Sequence, residues 1–188
     1  MSTAKLQADI GRLTRLVHHR WNILVIAELH RQSGAKYVSL LKSLGVSRGS
    51  LSTSLANLID LGYVRRNTGH GHPMRPEYLL TPLGIAIGVE CLSLVRILQR
   101  RDEIDLAFRK WTLPLVVAIG ERRLRFNELR SYLDDATPRA IAIGLKSLLH
   151  NGWAVRRLID DFPPTAGYEL RRKGERILVC ANGLCQID

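Results

Sequence analysis

The chain has 188 residues, 46% of them hydrophobic, enough to bury a core in one large domain or two small ones. Its 28 Lys and Arg against 17 Asp and Glu leave a net charge of +11 and a pI near 10.2, which favours a polyanionic partner. No run of about 18 apolar residues is available to cross a bilayer, the polar start is unlike a signal peptide, and Cys91, Cys180 and Cys185 are too few and odd for a secreted disulfide framework, so a cytoplasmic protein with reduced thiols is expected.

Leu6, Ile10, Leu13 and Val17 recur at helical spacing and predict an N-terminal helix. Arg20-Trp21 then opens the apolar segment RWNILVIAEL, of helical length. After a polar stretch over residues 31–36, a second helix carries apolar residues at Val38, Leu41 and Leu44. Ser47 is suited to N-cap a third helix, whose inward stripe is Leu51, Leu55 and Leu58 and which Gly62 ends. The strand LGYVRR, a turn-rich tip over residues 67–76 and a returning strand at Tyr78 to Thr81 complete a hairpin. Residues 83–109 read as one further helix with Ile85, Val89, Leu92, Val95 and Leu98 on its apolar side, expected to pack against the N-terminal helix either within the chain or across a homodimer.

The same series then starts again. Lys110-Trp111 opens KWTLPLVVAI, 90 residues after Arg20-Trp21, and the offset of 90 recurs for Leu55 and Leu145, Gly62 and Gly152, Tyr78 and Tyr168, and Gly84 and Gly174. In between it slips to 89, pairing Tyr37 with Phe126 and Leu40 with Leu129, so two single-residue length differences compensate. The second set of helices carries Phe126, Leu129 and Leu133, then Thr137 as N-cap, Pro138 in the first turn, and Ile141, Leu145 and Leu148 inward. Helix, helix, helix, hairpin is a winged helix. The expected fold is therefore mainly α with small β-hairpins (α+β): two tandem winged helix-turn-helix domains, 1–82 and 110–188, joined by a long helix over 83–109.

Residues 110–178 resemble the HxlR-type winged-helix regulators in KWTLPL, LRFNELR, Thr137-Pro138-Arg139, the Gly152 turn, Pro163-Pro164, Tyr168-Glu169-Leu170 and Lys173-Gly174. The first repeat is similar to the broader MarR-like winged helices in SRGSLSTSLANLIDLGYVRR and YLLTPLG. Such proteins usually carry one domain and dimerise, which implies DNA binding and either a homodimer through the N-terminal and linker helices or a pseudo-dimer within one chain. The cysteine that many HxlR-type relatives carry ahead of the Lys-Trp pair is Leu98 here and Ala8 in the first repeat, so thiol sensing is not carried over. Ala142-Ile143-Gly144 stands where longer polar residues are common, Asp160-Asp161 makes the second wing acidic, and Thr165 replaces a common arginine.

A recognition helix lies in the major groove with its first residues at base edges, while basic side chains anchor on phosphates. Ser47, Arg48, Ser50, Ser52, Thr53, Ser54 and Asn57 are the expected contacts of the first repeat. Arg48 suits guanine or phosphate, the hydroxyls either, and Asn57 adenine. The first wing adds Arg65, Arg66, His70, His72 and Arg75, with Arg75 placed to enter a minor groove. His70 and His72 lack a neighbouring carboxylate or cysteine and make an incomplete metal site, so no metal is expected. The second repeat offers Arg125, Thr137, Arg139, Lys146, Arg156 and Arg157, better suited to phosphate than to base reading. Residues 1–82 hold 11 basic and 4 acidic residues, leaving 17 and 13 for the rest, so the first repeat should dominate affinity.

No phosphate-cradling glycine loop, His-Glu-x-x-His pair or Gly-x-Ser-x-Gly elbow is present, and neither enzymatic activity nor a cofactor is expected. The expected function is a sequence-specific regulator of transcription that binds double-stranded DNA, in the simplest case a repressor, with the N-terminal domain as main base reader. The alternative is an architectural or protein-interaction role in a replication, segregation or mobile-element complex.

Overall fold

The computed structural model describes residues 3–67, 77–159 and 165–185. In chain order the first repeat comprises α1 (Thr3–Leu16), α2 (Asn22–Gln32), β1 (Ala35–Lys36), α3 (Tyr37–Leu44), α4 (Arg48–Asp60), β2 (Val64–Asn67), β3 (Glu77–Leu80) and α5 (Pro82–Ile97). The second comprises α6 (Arg101–Ala107), α7 (Thr112–Glu121), β4 (Leu124–Arg125), α8 (Phe126–Tyr132), α9 (Pro138–His150), β5 (Ala154–Ile159), β6 (Thr165–Leu170) and α10 (Arg172–Cys185). Each repeat closes with a three-stranded antiparallel sheet, β1-β3-β2 or β4-β6-β5, in which Arg66 pairs with Tyr78 and Arg156 with Tyr168. No helix among the described residues is long and apolar enough to cross a membrane.

The slip in the repeat has a local cause at each end. α2 runs for 11 residues and α7 for 10, which removes one residue, and two residues then lead to the short strand in each repeat: Ser33 and Gly34 at positive φ (56° and 120°) after α2, and an extended Arg122 followed by Arg123 after α7. The residue returns between α8 and α9, where Asp134 to Ala136 replace the shorter Gly45-Val46 turn. The caps lie where the sequence puts them. Ser47 Oγ accepts from the Ser50 amide at 3.2 Å and Thr137 Oγ1 from the Ala140 amide at 3.2 Å, each satisfying an amide that the helix start leaves unpaired.

The stripes of α4 and α9 point inward as expected, with Leu51, Leu55, Leu58, Ile141, Leu145 and Leu148 buried. In α3 the phase differs. Val38 is 73% exposed and Leu40 is buried, because the eight-residue helix starts directly from β1 and Tyr37 is turned toward α4.

The helix expected over residues 83–109 is divided. α5 ends at Leu98, which leaves helical geometry (φ −85°, ψ 81°), and α6 restarts with the Arg100 amide donating to Glu103 Oε2 at 3.3 Å. Its packed face is also rotated from the expected one: Ile85 and Val89 are half-exposed, while Ile87, Cys91, Leu94 and Leu98 are buried. Glycines set this phase. A Cβ on Gly84 would stand 2.0 Å from the Tyr63 carbonyl oxygen, and one on Gly88 2.5 Å from His30 Nδ1, so α5 meets the turn before β2 through Gly84 and α2 through Gly88.

α5 packs on α2 and on α10, and α10 in turn packs on α7 and α1. Within the chain α1 does not seat chiefly on α5; it crosses to α7, α8 and α10 of the second repeat, where Gln7 Nε2 donates to the Ser131 carbonyl at 2.9 Å. Ion pairs of Arg20 with Asp105 and of Lys173 with Glu103 add further ties. The buried apolar residues of both repeats consequently form one contiguous core, which includes Cys91, Cys180 and Cys185 as free thiols. Burial pushes Cys180 up to about 11 and Cys185 up to about 12, with Cys91 higher still, so all three stay protonated near neutrality.

Candidate nucleic-acid interface

Both third helices turn a complete face to solvent. On α9 the exposed arc is Arg139, Ala142, Ile143 and Lys146; on α4 the corresponding positions are Gly49, Ser52, Thr53 and Ala56, also exposed, with Arg48 exposed at the helix start. These residues recur at i, i+3, i+4 and i+7, opposite the buried stripe, as a helix entering a groove requires. The start of α4 is braced from below by Tyr37, whose hydroxyl donates to the Arg48 carbonyl at 2.8 Å and lies 2.9 Å from Ser52 Oγ. Tyr37 was not among the sequence-derived candidates; its place directly after β1, facing Tyr78 across ring centroids 6.5 Å apart, is set by the sheet and has no signature in helical spacing.

Two candidates of the first repeat are placed elsewhere. Ser54 is not outward: it is 1% exposed, faces the core, and its Oγ has no hydrogen-bond partner among the described residues. The period of 3.6 explains this, because Ser54 follows Leu51 by three and precedes Leu58 by four and so falls within the buried stripe. Asn57 is half-buried, and its Oδ1 accepts from Nδ2 of the fully buried Asn22 at 2.8 Å. Asn22 Nδ2 also donates to the Leu16 carbonyl at 2.8 Å, so the pair ties the end of α1 and the start of α2 to α4. Ser47 and Ser50 are linked by a hydrogen bond of 2.9 Å between their hydroxyls, and Thr53 is open to solvent.

Strand alternation separates the two wing arginines of the first repeat. Arg66 lies across from Tyr78, on the side of Tyr37 and α4. Arg65 turns to the other side and lines a recess with Leu29, His30, Ser33, Leu79 and Ile85. His70, His72 and Arg75 lie outside the described residues.

In the second repeat much of the basic charge is matched within the chain. Glu169 accepts from Arg157 Nε at 2.8 Å and from Arg123 at 2.5 Å, and Glu128 pairs with Arg122 at 2.8 Å. The two arginines, Arg157 foremost, hold the Glu169 carboxyl below its ordinary value. Glu128 also accepts from the Arg125 amide at 2.7 Å and stabilises the start of α8. Arg139, Lys146 and Arg156 are exposed and have no carboxylate partner among the described residues. The first repeat has no counterpart of Glu169, since Leu79 occupies that place, and Arg48 and Arg66 keep their charge unmatched among the described residues.

Comparison with known proteins agrees with this architecture. The family model described as HxlR-like helix-turn-helix matches twice, over residues 16–99 and 106–187. An HTH-type transcriptional regulator of Mycobacterium tuberculosis is 35% identical over 76 residues, covering 40% of this chain and 48% of that protein. One of Methanothermobacter thermautotrophicus is 26% identical over 77 residues, covering 41% of this chain and 59% of that protein. The chain thus spans about half the length of the first curated relatives it matches. A crystal structure of a MarR-family regulator from Porphyromonas gingivalis is 26% identical and superposes with a TM-score of 0.41 over 44% of this chain and 80% of its own. With the family pattern present in both repeats, the chain belongs to the HxlR-like helix-turn-helix family.

Proposed function

We propose that this protein regulates transcription by binding a two-part, non-palindromic site on double-stranded DNA, with both halves read by one chain. Residues 1–82 and 110–188 serve as the two reading units and 83–109 as the spacer packed between them. The observation that carries this reading is the pair of exposed but dissimilar arcs on α4 and α9. A hydroxyl-rich arc with an unmatched arginine faces one half-site, and a cationic and apolar arc faces the other. Identical half-sites suit identical readers, so unlike readers imply unlike halves.

The first repeat supplies most of the base reading, through Arg48, Ser52 and Thr53, and Arg66 anchors on phosphate. The second supplies phosphate contacts through Thr137, Arg139, Lys146 and Arg156. Arg157, held by Glu169, contributes less. Occupation of a promoter by such a protein in the cytoplasm represses transcription.

Selection of bound sites from random duplexes with the full chain, followed by titration at several salt concentrations, tests this. The expected result is an asymmetric consensus bound by one chain per duplex, with affinity falling steeply as salt rises. A palindromic consensus bound by two chains would overturn the single-chain reading. Binding without sequence preference, or none, would overturn the regulatory one.

A further inference from the structure

The exposed arc of α9 has an unusual composition for a groove-facing helix. Between Arg139 and Lys146 lie only Ala142 and Ile143, and Ile143 is 52% exposed. The helix cannot roll to hide it. Ile141, Leu145 and Leu148 are buried on the opposite side of α9, which fixes Ile143 outward, and Gly144 faces the tip of Leu115 on α7, which a Cβ there would meet at 2.4 Å. Beside it, Ala140, Gly144, Ser147 and the turn from Arg109 to Thr112 form a shallow recess of about 230 Å³ with Trp111 in its wall.

We propose that Ile143 reads the 5-methyl group of a pyrimidine in the major groove, so that the second half-site is specified by methyl contact where the first is specified by hydrogen bonds. This rests on the DNA-reading function proposed above. Of the four bases only thymine presents a methyl group on the major-groove edge, and apolar side chains recognise it by excluding water from both surfaces. The surroundings favour a methyl carried by a polyanion over an apolar protein surface. Arg139 and Lys146 stand one helical turn to either side on the same arc, neither with a carboxylate partner among the described residues, and Lys110 stands 4.8 Å over the Trp111 ring beside the recess. A single aliphatic side chain framed by three cations fits the floor of a groove whose walls are phosphate. In the first repeat the corresponding position is Thr53, whose hydroxyl can also bond a base edge.

The test uses the full chain and the duplex obtained by site selection. Each thymine of the second half-site is replaced in turn by uracil, which pairs identically and lacks the methyl. Loss of about fourfold in affinity at one or two positions is expected, the worth of burying one methyl group. Ile143→Ser should bind the thymine and uracil duplexes equally while melting at the wild-type temperature, and Ile143→Val should keep part of the discrimination. Placing cytosine or 5-methylcytosine at the sensitive position separates the two sources of the methyl. Recovery by 5-methylcytosine up to the affinity of thymine assigns the contact to the methyl itself, and tighter binding than to thymine makes the methylated cytosine its target. Specific DNA binding that is indifferent to uracil at every position of the second half-site would overturn the assignment and leave the DNA-reading function standing. A thymine preference that survives in Ile143→Ser would do the same, and absence of specific binding would overturn both.

Discussion

Asn57 illustrates how a residue typical of base reading can belong to the scaffold. Its Oδ1 receives the amide of a fully buried Asn22, so Asn57→Ala leaves a buried donor without that partner. The expected cost is about 1–3 kcal/mol in urea unfolding, with any loss of DNA affinity following the loss of fold. Ser54→Ala is expected to do the reverse: it removes a buried hydroxyl without a hydrogen-bond partner among the described residues, so stability should be unchanged or slightly higher and DNA affinity unchanged. Glu169 acts through charge. Its folded-state value lies below the ordinary 4.5, so whatever the Arg157 and Arg123 pairs contribute is complete above that value and is lost as pH falls through the depressed one. Thermal melts of wild type and Glu169→Gln should therefore converge in acid. At neutral pH the variant, with both arginines released, should bind DNA more tightly at low salt and show a salt slope steeper by about one to two phosphate contacts.

At the scale of elements, the positions that set helix phase are the small ones. Gly84 and Gly174 hold the same place in the two repeats, and a Cβ there would meet the Tyr63 or Trp153 carbonyl oxygen at 2.0 or 2.2 Å. Backbone cannot give way as a side chain tip can, so Gly84→Ala and Gly174→Ala should each destabilise by about 1–3 kcal/mol in urea titration. Gly11 on α1 is the control. Nothing lies within 4 Å of its added Cβ, and Gly11→Ala should stabilise by about 0.5–1 kcal/mol. Counting bulky residues along α5 misplaces its packed face: Ile85 and Val89 are larger than Gly84 and Gly88, yet close approach to the Tyr63 carbonyl and to His30 decides which side is inward. In α4, where Leu recurs on the inward side and Gly49 is exposed, periodicity alone finds the face, and in α9 Ile141, Leu145 and Leu148 mark it as clearly.

For the whole molecule, the seating of α1 on the second repeat joins the two halves. Leu6, Ile10 and Leu13 are buried on α1, which packs against α7, α8 and α10, and the apolar core runs through both repeats without a break. Unfolding should then be a single transition in which tryptophan fluorescence, from Trp21 in one repeat and Trp111 and Trp153 in the other, coincides with the loss of helix. Leu13→Ala should lower its midpoint by an amount worth about 2–5 kcal/mol without splitting it. Two separated transitions would show that the repeats fold independently.

The sequence by itself determined the duplication, the element order of each winged helix, the capping residues and the inward stripes of the recognition helices, because these follow from local periodicity and from side chains bonding their own backbone. Much of the exposed face of α4 and α9 was legible for the same reason: Arg48, Ser52, Thr53, Arg139 and Lys146 are outward wherever the inward stripe is known. The burial of Ser54 and the opposite facing of Arg65 and Arg66 follow from the same local periods, whereas only the tertiary structure decided that Asn57 bonds Asn22, that Glu169 holds Arg157, and that α1 crosses to the second repeat. Each of these depends on a partner between 12 and more than a hundred residues away, which leaves no mark in local spacing.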